Sequence, residues 1–93
     1  MRQFVIEREL PGAHRLSPAE LKAISRTSCD VLNQLGSDIR WLHSYVATDK
    51  IYCLYEAANE DLIKEHAQKG GFPANRISEV ATTISPATAE RVG

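Results

Sequence analysis

The order of hydrophobic patterns along the chain most constrains how it can fold. Residues 3–9, 39–47, 50–57 and 77–84 are short runs rich in β-branched and aromatic side chains. Turn residues bound these runs, so the pattern predicts four strands. A run with apolar side chains at helical spacing follows the first strand, and a second such run follows the third strand. The predicted order is therefore strand, helix, strand, strand, helix, strand.

Both helices begin at residue types that favour helix ends. Ser17 precedes Pro18, and Glu20 stands three residues after Ser17, so serine and glutamate can form a capping box. Gly36 supplies the end of this first helix. Asn59 is the predicted N-cap of the second helix. These local rules make the first helix the most strongly indicated element of the chain.

The predicted order favours an α+β fold, the ferredoxin-like βαββαβ plait, with a four-stranded antiparallel sheet and both helices on one face. A chain of 93 residues has room for one domain. We place that domain at residues 1–85 and a flexible C-terminal tail at residues 86–93. One sheet face carries no helix, so we expect it to be polar or covered by a second copy, in a dimeric assembly of the α/β-barrel type.

Composition argues against several kinds of partner. The 11 Lys and Arg against 12 Asp and Glu give a formal net charge of −1, which provides no basic surface for nucleic acid or a membrane. No run approaches the roughly 18 apolar residues of a membrane span, and the charged start is unlike a signal peptide. Two cysteines, Cys29 and Cys53, suit a reducing cytoplasm. We expect a cytoplasmic protein in which both thiols are buried and inert.

A two-residue turn at Thr48 and Asp49 determines which side chains share a sheet face. We place the smaller and more aliphatic set under the helices, namely Phe4, Ile6, Leu42, Ser44, Val46, Ile51, Cys53, Tyr55, Val80 and Ile84. The open face then carries Val5, Glu7, Glu9, Trp41, His43, Tyr45, Tyr52, Leu54, Glu56, Ile77 and Glu79. On this assignment no Lys or Arg lies beside its four glutamates. A slip of one residue at the turn would exchange the two faces of the hairpin.

The predicted open face combines carboxylates with one imidazole. Such donors suit a divalent metal of intermediate hardness, such as nickel, manganese, zinc or cobalt. The metal ligands that we predict are Glu7, Glu9, His43, Glu56 and Glu79. The surrounding residues, as hydrogen-bond partners or a pocket lining, are Trp41, Tyr45, Tyr52 and His66. The alternative is that the glutamates are ordinary solvated side chains, because no compact metal-binding motif is present.

Other interpretations remain open at this point. The aromatic residues Trp41, Tyr45 and Tyr52 also suit a surface that stacks RNA bases, but neighbouring glutamates would repel phosphate, and dimer contacts explain them better. His66 is typical of a packed helix histidine bonded to a backbone carbonyl. A small-molecule module or enzyme using a cleft between sheet and helices is a competing hypothesis, as is a structural dimerisation domain. No nucleophile stands beside a base, so we name no catalytic residue.

Several stretches resemble a bacterial family of nickel-binding ferredoxin-like proteins, formerly a domain of unknown function, named after a nickel-responsive Streptomyces protein. They are residues 5–12, Trp41 with 44–46, 49–53, 65–67 and 70–73. The resemblance runs from about residue 4 to residue 84. It implies a plait that dimerises through the open sheet faces, and nickel binding. We therefore predict a homodimer that binds nickel for storage, buffering or sensing.

Overall fold

A computed structural model describes residues 1–90 of the chain. Its strands and helices are β1 (Arg2–Glu9), α1 (Pro18–Leu35), β2 (Ile39–Val46), β3 (Lys50–Ala57), α2 (Glu60–Gly70) and β4 (Arg76–Glu79). Short 3-10 helices lie at Ala13–Arg15 and Pro86–Glu90. The second of them falls in the predicted tail, whose last three residues, 91–93, lie outside the described part. No helix within residues 1–90 is long and apolar enough to cross a membrane.

The four strands form one sheet in the order β2-β3-β1-β4, and all neighbouring strands are antiparallel. Both helices pack on the same face of this sheet, where Leu32 of α1 and Ile63 of α2 contact the core. The predicted ferredoxin-like plait is therefore confirmed. The buried core residues are Phe4, Ile6, Ala13, Val31, Ile39, Ile51, Cys53, Tyr55, Ala57, Ile63 and Ala67.

The predicted ends of the helices are confirmed by their hydrogen bonds. The Glu20 amide donates to Ser17 Oγ, and the Ser17 amide donates to a Glu20 carboxylate oxygen, both at 3.1 Å. In α2, the Leu62 amide donates to Asn59 Oδ1 at 3.0 Å. Gly36 adopts a positive φ of 93° after α1, a conformation open to glycine and costly for other residues.

The hairpin between β2 and β3 is as predicted next to its turn. The Ala47 amide donates to the Lys50 carbonyl at 2.8 Å, which leaves Thr48 and Asp49 as the turn residues. The pairs Val46–Ile51, Tyr45–Tyr52, Ser44–Cys53 and His43–Leu54 match the register that a two-residue turn at Thr48 and Asp49 predicts. The face assignment of this part of the hairpin is therefore correct.

Beyond His43 the predicted register is wrong, because a β-bulge interrupts β2. Trp41 pairs with Tyr55, whereas strict alternation pairs it with Glu56. At the bulge, Leu42 is an extra residue of β2 that has no partner of its own in β3. The β2 side chains before it therefore lie on the face opposite to the predicted one. Trp41 consequently lies on the helix side, and Leu42, predicted to be buried there, is 36% exposed.

The face assignment of the last strand is also wrong. Ile77 pairs with Ile6, and Glu79 pairs with Phe4, so both lie on the helix side. The register against β1 decides this orientation, and the short sequence of β4 carries too little alternation to reveal it. The strand stops at Glu79, and Ile84, predicted to be in the core, is 77% exposed.

The two cysteines differ in their surroundings. Both thiols are free; Cys53 is buried as predicted, whereas Cys29 is exposed. Cys29 follows the buried Ser28, and one residue along a helix turns the side chain by about 100°, away from the apolar stripe. The predicted burial of Cys29 is therefore wrong.

Candidate functional site

The open face of the sheet is the surface without helices, and the observed pairing defines its residues. Across the strands it presents four rows, which are Arg40–Glu56–Gln3, His43–Leu54–Val5–Ser78, Tyr45–Tyr52–Glu7–Arg76 and Lys50–Glu9. Tyr45 is 65% exposed, and its ring lies edge-on to His43 at 5.1 Å between centroids. The predicted placement of Tyr45, Tyr52 and His43 on this face is confirmed.

The charges of the open face are balanced, which corrects the prediction that no Lys or Arg lies beside its glutamates. Lys50 Nζ lies 3.3 Å from Glu7 Oε1, and Arg40 Nη1 lies 3.6 Å from Glu56 Oε1. The hydrogen bond to Glu7, followed by the charge of Tyr52, raises the pKa of Lys50. With Arg76 opposite Glu7, this face carries as many basic residues as acidic ones.

Four of the five predicted metal ligands share the open face, and one does not. Glu79 lies on the helix side, where its carboxylate is 3.5 Å from Arg2 Nε. His43 on β2 and Glu7 on β1 have β3 between them, which separates their strands by about 10 Å. Within residues 1–90, no three His, Cys, Asp or Glu side chains are close enough to hold a metal ion. The donor types fit a divalent metal, but one copy does not assemble a complete site.

A cavity of about 430 Å³ lies on the other side of the sheet, under the first half of α1. Leu21 and Ile24 belong to the apolar stripe of α1, yet they are only half-buried because they line this cavity. Trp41 lies on the opposite wall, with its ring stacked on Tyr55 at 6.5 Å between centroids. A cleft between sheet and helices thus exists and includes Trp41, whereas Tyr45 and His43 lie on the opposite face of the sheet.

Arg8 is the charged residue of the cavity wall, and it is only 5% exposed. Its Nε donates to Cys53 Sγ at 3.3 Å, and its Nη1 donates to the Pro73 carbonyl at 2.6 Å. The guanidinium also lies over the Phe72 ring, 5.2 Å from the centroid. Its Nη2 is buried and has no hydrogen-bond partner within residues 1–90.

Arg8 is not among the site residues predicted from the sequence, although a signal for it exists. Phe4, Ile6 and Arg8 alternate along β1, and side chains two residues apart share a face of a strand. Once Phe4 and Ile6 are placed in the core, the same alternation places the charge of Arg8 there.

His66 and Tyr55 form a hydrogen-bonded group beside Arg8. Ser28 Oγ lies 3.0 Å from His66 Nε2 and 3.2 Å from the Tyr55 hydroxyl. Burial, with a smaller contribution from the charge of Arg8, lowers the pKa of His66 to about 4. Burial also raises the pKa of Tyr55, although the hydrogen bond to Ser28 opposes this. Near neutral pH both groups are uncharged, which leaves Arg8 as the charge of this region.

The structure confirms that His66 is a packed helix residue. It is 1% exposed and contacts the rings of Tyr55 and Phe72. Its partner is the Ser28 hydroxyl, whereas we predicted a backbone carbonyl. Because His66 packs on the helix side, it does not share a surface with His43 and the open-face glutamates.

Comparison with known proteins agrees with the fold. A family model described as nickel responsive protein SCO4226-like matches residues 4–80. The crystal structure of SCO4226 from Streptomyces coelicolor A3(2) is similar, with a TM-score of 0.74 and 18% sequence identity, over 88% of this chain and 99% of that chain. No curated protein sequence matches the chain. Because the family model spans most of the sequence, the chain belongs to the nickel responsive protein SCO4226-like family.

Proposed function

We propose that this chain is a cytoplasmic protein that binds a divalent metal, nickel first, for storage, buffering or sensing. The observation that carries the proposal is the match of residues 4–80 to a family described as nickel responsive. The donor chemistry of the open face supports it, because Glu7, Glu9, His43 and Glu56 supply carboxylates and an imidazole on one surface.

The metal site requires a second copy of the chain. A single copy does not bring three such donors together within residues 1–90. Two sheets that pack face to face lie about 10 Å apart, which brings side chains of both faces within reach of each other. Metal ligands of the two copies can thereby form one shared site.

The open face suits such pairing with itself. Its centre carries Val5 and Leu54, flanked by Tyr45 and Tyr52, and aromatic and apolar side chains are typical of interface cores. Its acidic and basic residues are equal in number, so two copies bring no net charge together. We therefore propose a two-fold homodimer in which each copy presents the same surface.

Calorimetric titration of the tag-free apo protein with nickel, zinc and cobalt tests metal binding. We expect saturable binding tighter than millimolar, tightest for nickel, and loss of that binding in His43→Ala. The matched control is His14→Ala, because His14 is exposed in the short 3-10 helix Ala13–Arg15 and is bonded to the Thr48 carbonyl. The proposal would be overturned if none of these metals bound in a saturable way. Equal binding by wild type and His43→Ala would show that the metal site does not lie on the open face.

Sedimentation at micromolar concentration tests whether the site is shared. Leu54→Arg places a charge at the centre of the open face, between Val5 and His43. We expect a wild-type dimer, a Leu54→Arg monomer, and weaker nickel binding by that monomer. A wild-type monomer that binds nickel fully would contradict the shared site.

A further inference from the structure

The charge of Arg8 lacks an anionic partner, unlike five other basic residues. Carboxylates lie within 4.0 Å of the exposed or half-buried side chains of Arg2, Arg40, Lys50, Lys64 and Lys69. Arg8 is far more buried; its guanidinium donates to a thiol and a carbonyl and lies over an aromatic ring, and within residues 1–90 no carboxylate lies within 4.0 Å of it. A buried charge is costly unless an opposite charge accompanies it. An anion held at the cavity would supply the missing charge.

The cavity beside Arg8 has the size and the walls of a small-molecule site. Its volume of about 430 Å³ lies within the range of about 300–1,000 Å³ that is usual for ligand pockets. Leu21, Ile24 and Ile51 make part of the wall apolar, and Trp41, Tyr55 and Phe72 add aromatic surface. The exposed rim residues Thr27 and Val46 mark where the cavity meets solvent.

A second hydrogen-bond donor, the Ser44 hydroxyl, lines the same cavity as Arg8. Ser44 Oγ accepts the indole N–H of Trp41 at 2.9 Å, which leaves the Ser44 hydroxyl proton to donate. Ser44 is the cross-strand neighbour of Cys53, and Cys53 Sγ is the atom to which Arg8 Nε donates. Two donors, one of them charged, therefore line this cavity on either side of Cys53.

We propose that this cavity binds a small apolar monocarboxylate, with its carboxylate at Arg8 and Ser44 and its apolar body among the aromatic and aliphatic walls. A carboxylate accepts hydrogen bonds from both donors and cancels the single buried charge. Cationic ligands are repelled by Arg8, and dianions would bring one charge more than the wall neutralises. The site lies on the opposite side of the sheet from the metal donors, so it does not depend on the nickel proposal.

Trp41 provides a direct readout, because it is the single tryptophan of the chain and lines the cavity. We would titrate the full chain with phenylacetate and with hexanoate, and in parallel with the uncharged amide of each. At least one acid is expected to change Trp41 fluorescence in a saturable way. Its amide should bind about tenfold more weakly or worse, since hydrogen bonds to charged groups are worth more than neutral ones.

Variants test whether Arg8 causes the preference for the acid over its amide. Arg8→Met should abolish the preference for acid over amide, whereas the matched control Arg2→Met, which removes an exposed charge, should retain it. Ile24→Phe fills the cavity without changing its charge and should weaken binding of both forms, which provides a test if Arg8→Met fails to fold. Nickel binding should be the same in wild type and Ile24→Phe.

Three results would overturn the proposal. The first is that neither phenylacetate nor hexanoate binds. The second is that the wild type binds acid and amide equally. The third is that folded Arg8→Met prefers the acid as strongly as the wild type does. If only nickel binding is lost, the metal proposal is contradicted and the proposed carboxylate site is not affected.

Discussion

The charged residues of the open face differ from Arg8 on the helix side in whether a carboxylate lies beside them. On the open face Glu7 lies beside Lys50, and Glu56 beside Arg40, although exposed ion pairs contribute little to stability. On the helix side Arg8 is buried, and no carboxylate of residues 1–90 lies within ion-pair distance of its guanidinium. An apolar residue at position 8 would serve stability better. This difference is the reason for which we propose an anion site on the helix side.

The largest difference between the faces should appear in adjacent residues of β1. Phe4 is buried under the helices, whereas Val5 is half-buried on the open face. We expect Phe4→Ala to lower the free energy of unfolding by about 3–5 kcal/mol, because it leaves a hole in the core. Val5→Ala should cost about 1 kcal/mol or less at low protein concentration. Urea unfolding followed by circular dichroism measures both, and similar losses would contradict the assigned faces.

The helix side should also make the stability of the chain depend on pH, through His66. His66 has a pKa of about 4 in the folded chain, below its ordinary value near 6.5 when unfolded. The unfolded chain therefore binds the proton first, and the stabilising effect of neutral His66, complete above about pH 6.5, is lost as the pH falls towards about 4. We expect His66 to account for a loss of about 2 kcal/mol between about pH 7 and pH 4.5.

Urea unfolding at both pH values measures that loss. His66→Gln should reduce the difference between the two conditions. The same acid-induced loss in wild type and His66→Gln would show that His66 is protonated equally in the folded and unfolded chains.

The smallest effects should come from removing one positive charge on each face. Arg8→Met replaces a buried unpaired charge with an apolar side chain of similar length, and we expect it to raise the free energy of unfolding by about 1 kcal/mol. Arg40→Met removes one partner of an exposed ion pair and should change stability by about 0.5 kcal/mol or less. Destabilisation of Arg8→Met by several kcal/mol would mean that the neutral partners of Arg8 already compensate its charge.

The range of the interactions involved decided which features of the fold could be predicted from the sequence. The capping box at Ser17 and the turn at Thr48 involve residues two or three positions apart, and both are observed. The faces of Trp41 and Glu79 depended on alternation along a whole strand. The bulge at Leu42 and the register of β4 against β1 changed that alternation, so both residues lie on the helix side.

The candidate sites also contain features that the sequence predicted and features that it did not. The sequence predicted the open face near the hairpin turn, including Glu7, His43 and Tyr52, because period-two alternation holds there. It did not predict that Lys50 and Arg40 would neutralise the glutamates, because those ion pairs form between strands. A cleft between sheet and helices was only an alternative hypothesis from the sequence, and the sequence did not reveal that Leu21 and Ile24 of α1 and Arg8 of β1 line it.

By itself, the amino-acid sequence determined the order of the elements, the ends of the helices and the plait that this order favours. Those features follow from local backbone preferences and hydrophobic periodicity, which act over a few residues. Only the tertiary structure decided that Trp41 and Arg8 meet at one cavity and that Glu79 is absent from the metal-donor face. Such contacts join residues far apart in the chain, and a single bulge or register choice reverses which side of the sheet a side chain occupies.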